Sequence, residues 1–156
     1  MLKKMGKRLK NERGLTLIEL LAVVVILGII AAIAIPSIGG LINNSKKDAH
    51  IANAQQMVSG ARLAVTADSS TIGTISMKTL ISNGYIEDFK NPSDENGYDQ
   101  DKSIVTITKD SSTGNYKYSV KLVSSNGGDH LNGNPDSIKR TSVTLKPTAT
   151  TENPEG

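Results

Sequence analysis

The chain has 156 residues, a net charge of +3, one Phe, four Tyr, no Trp and no Cys. That length allows one domain with appendages, and most of the Ile, Leu and Val precede residue 43, so the remainder can bury only a small core. Without cysteine there are no disulfides, no thiolate metal sites and no lipid-modified N-terminal Cys.

The basic balance belongs to the first fourteen residues. Lys3, Lys4, Lys7, Arg8, Lys10 and Arg13 against Glu12 leave that segment at +5, while twelve basic and fourteen acidic groups leave the rest at −2. With the leader set aside, no overall basic charge argues for nucleic-acid binding. Its own meaning is topological, because a dense Lys/Arg cluster beside an apolar span stays on the cytoplasmic side.

Residues 20–35 follow, sixteen positions without a polar side chain, or about 24 Å of helix at roughly 1.5 Å per residue. A bilayer core of ~30 Å needs about twenty residues. Extension to Leu15 and Ile42 supplies them and takes in Thr16, Glu19, Pro36 and Ser37. Hydropathy alone fits a plain single-span anchor equally well. A secretory signal peptide would instead end in a small-residue cleavage site, and Ala31-Ala-Ile-Ala-Ile-Pro-Ser is a poor one.

The junction Gly14-Leu15-Thr16-Leu17-Ile18-Glu19 separates these readings. Together with the apolar helix through Pro36, it resembles the prepilin processing motif of type IV pilins and type II secretion pseudopilins. The resemblance implies cleavage between Gly14 and Leu15 by a membrane aspartyl peptidase, then N-methylation of Leu15. Leu15 stands where Phe is usual, and Pro36 stands where the family commonly has proline. An outward-facing chain without cysteine reads as a Gram-positive member.

Physical chemistry fits the implied roles. Gly14 has no side chain to obstruct an extended, close-fitting protease complex. A carboxylate at membrane depth costs about 2.5–3.5 kcal/mol even on the lenient insertion scale, so Glu19 needs a partner. The new amine of Leu15 lies one helical turn before it, and in the family's filaments the carboxylate meets the amine of a neighbouring subunit. Glu19 and Pro36 are therefore the expected assembly residues. Gly28, Pro36, Gly39 and Gly40 weaken the lower half of the span, by ~1 kcal/mol for a glycine relative to alanine.

Residues 43–67 read as an amphipathic continuation of the same helix. Ile51, Ala54, Val58, Ala61 and Val65 recur at intervals of three and four. His50, Asn53, Gln56 and Arg62 fall elsewhere on the wheel, and His50 reads as a solvated, incidental histidine. Ser69-Ser-Thr with Gly73 reads as a loop. Ser76 is placed to cap a short helix over residues 77–82, which Asn83-Gly84 stops.

Three strands are expected next: residues 104–109, residues 116–123 and residues 141–146. In the second, Tyr116, Tyr118, Val120 and Leu122 alternate with Lys117, Ser119 and Lys121. In the third, Val143 and Leu145 face inward. The fold class is thus α+β, a long N-terminal helix packed on a small antiparallel sheet of three to four strands, and the resemblance implies that this is the pilin fold. Residues 68–146 form the head, and residues 147–156 read as a flexible tail.

Two polar loops remain. Asp94, Glu95, Asp99 and Asp101 crowd residues 91–101 and are the calcium-ligand candidates. Hard oxygen ligands suit that ion, and major pseudopilins of secretion systems, which this chain resembles, bind it in a head loop. The EF-hand spacing is absent, and acidic turns are usually just solvated. Residues 124–135 read as an exposed connection. Two histidines and no cysteine assemble no nucleophile–base constellation, so no enzyme is expected.

The implied function is a prepilin subunit of a type IV pilus or pseudopilus. Its implied partners are itself or other pilins, the prepilin peptidase, the assembly platform and its ATPase, and the bilayer before assembly. The implied site is the cytoplasmic membrane, with the leader inside and the C-terminus outside, and then a surface filament. A competence pseudopilin aiding DNA uptake and a non-polymerising membrane-anchored binding module stay open as alternatives. DNA as a partner is left open too, with scattered Lys102, Lys109, Lys117, Lys121, Lys139 and Arg140 on the head.

Overall fold

The computed structural model describes the backbone of residues 6–149 and the side chains of residues 16–149. The first five leader residues and the end of the tail, residues 150–156, lie outside the described residues. The chain divides into two compact units, Met1–Ile42 and Asn43–Gly156. One helix, α1 (Gly6–Ala67), supplies the whole described part of the first and the opening of the second.

In the first unit, α1 has no apolar face turned to a partner. Every Leu, Ile and Val from Leu17 to Ile42 is between 50% and 73% exposed. A helix apolar all round and exposed in this way is one built for lipid or for neighbouring helices. Its length and composition suffice to cross a membrane. Pro36 lies inside the helix, and its missing N–H leaves the Ala32 carbonyl without its usual donor.

The second unit is a four-stranded antiparallel meander with α1 residues in its core. The strands are β1 (Gly73–Ser76), β2 (Ile104–Lys109), β3 (Tyr116–Val123) and β4 (Asp129–Gly133), and they pair in chain order. One apolar cluster joins Ala54, Met57, Ala61 and Ala64 of α1 to Val105, Ile107, Val120, Leu122 and Leu131 of the sheet. Small alanines on the buried face let the helix backbone approach the strands. Gly60 does the same for the segment after the second helix: a Cβ there would overlap the Ile86 side chain and press on the Tyr85 carbonyl.

That helix, α2 (Met77–Ser82), begins where the sequence places its cap. The Ser76 hydroxyl accepts from the Thr79 N–H at 3.2 Å. Gly84, at φ +73°, terminates the turn, and the Tyr85 N–H closes back on the Leu80 carbonyl. The alternation read in β3 holds, with Val120 and Leu122 buried and Lys117 exposed.

Three expectations change. The loop expected around Gly73 contains β1, which lies on the sheet edge against β2, pairing Ile75 with Val105. The expected exposed connection, residues 124–135, contains β4. Its register jumps from Leu122↔Leu131 to Val123↔Asp129. The skipped residue, His130, is a β-bulge, so His130 and Leu131 both point inward. The expected strand over residues 141–146 does not form. Arg140–Ser142 is a 3₁₀ turn, and Thr144 donates its N–H to the His130 carbonyl. The Thr144 carbonyl is taken by the His130 ring at 2.7 Å rather than by a strand N–H. Val143 is nonetheless buried, as expected.

Candidate functional site

Glu19 and Pro36 lie on the exposed surface of α1 in the first unit. Glu19 has no ion-pair partner among the described residues. Gly14 and Leu15 lie on the α1 backbone, where side chains are outside the described residues. The processing pair and the assembly residues are thus gathered on one helix whose surrounding apolar residues are all unburied.

The second unit holds a polar cluster that the sequence reading missed. His50 is 0% exposed rather than solvated. It lies four residues before Ala54 and seven before Met57, on the buried stripe itself. His50 Nδ1 is 2.6 Å from the Tyr98 hydroxyl and Nε2 is 2.8 Å from the Ser93 hydroxyl. Asn53 donates from Nδ2 to both the Lys90 carbonyl and Tyr98 Oη, at 3.2 and 3.1 Å. On the other side of the ring, His130 stacks at 4.2 Å between centroids.

The donors in this cluster can be assigned by exclusion. The Thr144 carbonyl can only accept, so His130 Nδ1 carries the proton, and His130 Nε2 accepts from Asn91 Nδ2 at 2.8 Å. Asn91 spends its remaining groups on the Gly97 carbonyl and the Ser93 N–H. Tyr98 accepts from Asn53, so its own proton goes to His50 Nδ1. His50 Nε2–H therefore donates to Ser93 Oγ. Among the described residues no buried side-chain nitrogen or oxygen lacks a partner.

The electrostatics follow from this burial. The His50 pKa falls to about 3, chiefly through burial, with the His130 ring and the Lys46 charge adding to it. Burial also lowers that of His130, against the Thr144 carbonyl and Asp94, which pull it up. The Tyr98 phenol is pushed up by burial, with the Asn53 hydrogen bond opposing. Ser93 and His50 are a hydroxyl and an imidazole in contact, yet the imidazole gives its proton to the serine. A ring so hard to protonate is also a poor base at neutral pH.

The four calcium candidates do not converge. Asp94 accepts from Asn96 and from the Ser124 and Ser125 hydroxyls, and those bonds, the Asn96 N–H first, hold its carboxyl below the usual range. Asp99 caps the turn at Asp101 and Lys102, Asp101 pairs with Lys78 at 3.2 Å, and Glu95 is exposed. Among the described residues no three His, Asp or Glu side chains are grouped to hold a metal. The carboxylates spend their lone pairs on turns instead. A bidentate ion pair, Arg140 to Asp48 at 2.6 and 2.7 Å, ties the C-terminal segment to α1.

Comparison with known proteins meets the first unit directly. Residues 9–35 match the family model described as the prokaryotic N-terminal methylation motif. The type IV major fimbrial protein FimA of Dichelobacter nodosus is 36% identical over 101 residues, covering 55% of this chain and 63% of that protein. The chain thus spans less than two thirds of the relative it matches. No solved structure matches it. With the methylation motif at the head of an exposed apolar helix, and a four-stranded antiparallel sheet in the second unit, the chain is similar to type IV fimbrial proteins in its N-terminal motif and in the 101 residues aligned.

Proposed function

We propose that the chain is a structural subunit of a type IV pilus or pseudopilus, made as a prepilin, cut between Gly14 and Leu15, and methylated on the Leu15 amine. A filament subunit needs a surface that lipid covers before assembly and neighbouring copies cover afterwards. The observation that carries the reading is α1 in the first unit, where every Leu, Ile and Val from Leu17 to Ile42 is at least half exposed around the whole helix. The basic leader stays on the cytoplasmic side and the second unit lies outside. Prepilin peptidase, the assembly platform and its ATPase are the partners this pathway requires. The chain acts as a building block, not as a catalyst.

Glu19 gives the stacking its register. Within a bundle of apolar helices, a lone carboxylate finds its lowest energy against the Leu15 amine of the adjacent subunit. Glu19→Ala, expressed in the native host, should leave membrane insertion intact and abolish incorporation into sheared surface filaments. Filaments carrying Glu19→Ala at the wild-type level would overturn the pairing.

A further inference from the structure

Most cations of the second unit are already engaged. Lys78, Lys102, Lys117, Lys121 and Arg140 pair with Asp101, Asp99, Asp110, Asp129 and Asp48. Arg62 and Lys109 lie over the Tyr118 and Tyr116 rings. Among the described residues, Lys46, Lys47, Lys90, Lys139 and Lys146 have no such partner, and Lys46, Lys90 and Lys146 line two clefts that share Lys46 and Ser93. A cleft of about 630 Å³ is lined by Lys46, Lys90, Ser93, Asp94 and Glu95 among others. A second, of about 330 Å³, shares Lys46 and Ser93 and adds Lys146.

Ser93 at this seam is more than a filler. Its oxygen accepts from His50 Nε2–H at 2.8 Å, so its own O–H is free to turn to the cleft. The chain of donors from Asn53 through Tyr98 and His50 sets that direction. Asp94 lines the same cleft, but its carboxylate already accepts from Ser124, Ser125 and Asn96. Glu95, also in the lining, is the carboxylate there without an ion-pair partner among the described residues.

We propose that these adjoining clefts bind a phosphate ester, with Lys46, Lys90 and Lys146 supplying charge and Ser93 one hydroxyl donor. Several ammonium groups around one hydroxyl suit a phosphate group, whose non-bridging oxygens carry the charge and accept several hydrogen bonds at once. A single carboxylate would leave most of them unused. The source is either a soluble phosphate or the phosphodiester of an anionic lipid headgroup.

The test uses the ¹⁵N-labelled full chain in uncharged detergent at pH 7.5. Inorganic phosphate, against acetate at matched ionic strength, should give saturable amide shifts confined to Lys46, Lys90, Asn91, Ser93 and Lys146. Lys90→Gln and Lys146→Gln should each weaken binding about two- to fivefold, as loss of one exposed charge contact does. Ser93→Ala should also weaken it, and Glu95→Gln should strengthen it. A parallel arm compares nanodiscs with and without phosphatidylglycerol in phosphate-free buffer. The same shifts there assign the site to lipid, and shifts with free phosphate alone assign it to a soluble ester. Equal shifts with acetate, indifference to all four substitutions, or no shift in either arm would overturn the proposal.

Discussion

Acid should loosen the second unit at a pH set by its histidines, well before its carboxylates titrate. In the unfolded chain both imidazoles protonate near pH 6.5. In the fold, His50 waits until about pH 3, held neutral first by burial and then by His130 and Lys46. Between those values the unfolded state binds the extra proton, so stability is complete above pH 6.5 and declines as pH falls. The slope approaches about 1.4 kcal/mol per pH unit for one such group. From pH 6.5 to 4.5, His50 alone removes roughly 2 kcal/mol, or about 8–16 °C of Tm for a domain near 100 residues. His130 adds in the same direction, because burial lowers its pKa too. The carboxylates of Asp48, Asp68, Asp94 and Asp110 are all held below the usual value by hydrogen bonds, so their losses begin only below about pH 4.

The assay is thermal unfolding of the full chain in uncharged detergent, followed by near-ultraviolet dichroism of its tyrosines. A His50→Gln variant should be less stable at pH 7, because Tyr98 and Ser93 lose their ring partner, but its Tm should fall less between pH 6.5 and 4.5. NMR of the ring protons should show His50 still neutral at pH 5. An imidazole midpoint near 6.5, or a pH slope unchanged in His50→Gln, would refute the reasoning.

Gly60→Ala should lower stability by about 1–3 kcal/mol in urea titration, since overlap with Ile86 and Tyr85 outweighs the ~1 kcal/mol of helix preference gained. A neutral or stabilising result would mean that the segment after α2 does not lie against α1. Arg140→Gln should release the C-terminal segment, read as faster hydrogen exchange at Val143 and Thr144 with little change in Tm, because the pair is exposed. Calcium at millimolar concentration should leave Tm unchanged, since Asp94, Asp99 and Asp101 are engaged by turns and Lys78. A saturable rise in Tm would restore the calcium site.

The elements legible in the sequence were those whose signals are local. The Ser76 hydroxyl and Asn83-Gly84 bracket α2, and the two-residue period between polar turns brackets β2 and β3. The junction at Gly14 was legible for the same reason, since charge, spacing and apolar run occupy adjacent residues. β4 escaped because its bulge at His130 breaks the period that identifies strands. β1 escaped because four residues opening on a glycine at φ +103° carry almost no pattern of their own. The pattern of residues 141–146 misled because Val143 is buried as in a strand, while the neighbouring carbonyl is claimed by a histidine ring. The polar cluster was the least legible part. His50, Ser93, Tyr98 and His130 are brought together from α1, a loop and an edge strand, and only tertiary packing distinguishes a buried histidine from a solvated one.

The central claim concerns how the N-terminus is made and used, and one measurement bears on it most directly. Intact-mass and N-terminal peptide spectrometry of the protein from host membranes or sheared filaments should find a chain that begins at Leu15 and carries one methyl group on its amine. A mature protein that still begins at Met1, or one cut after the apolar helix, would contradict the account.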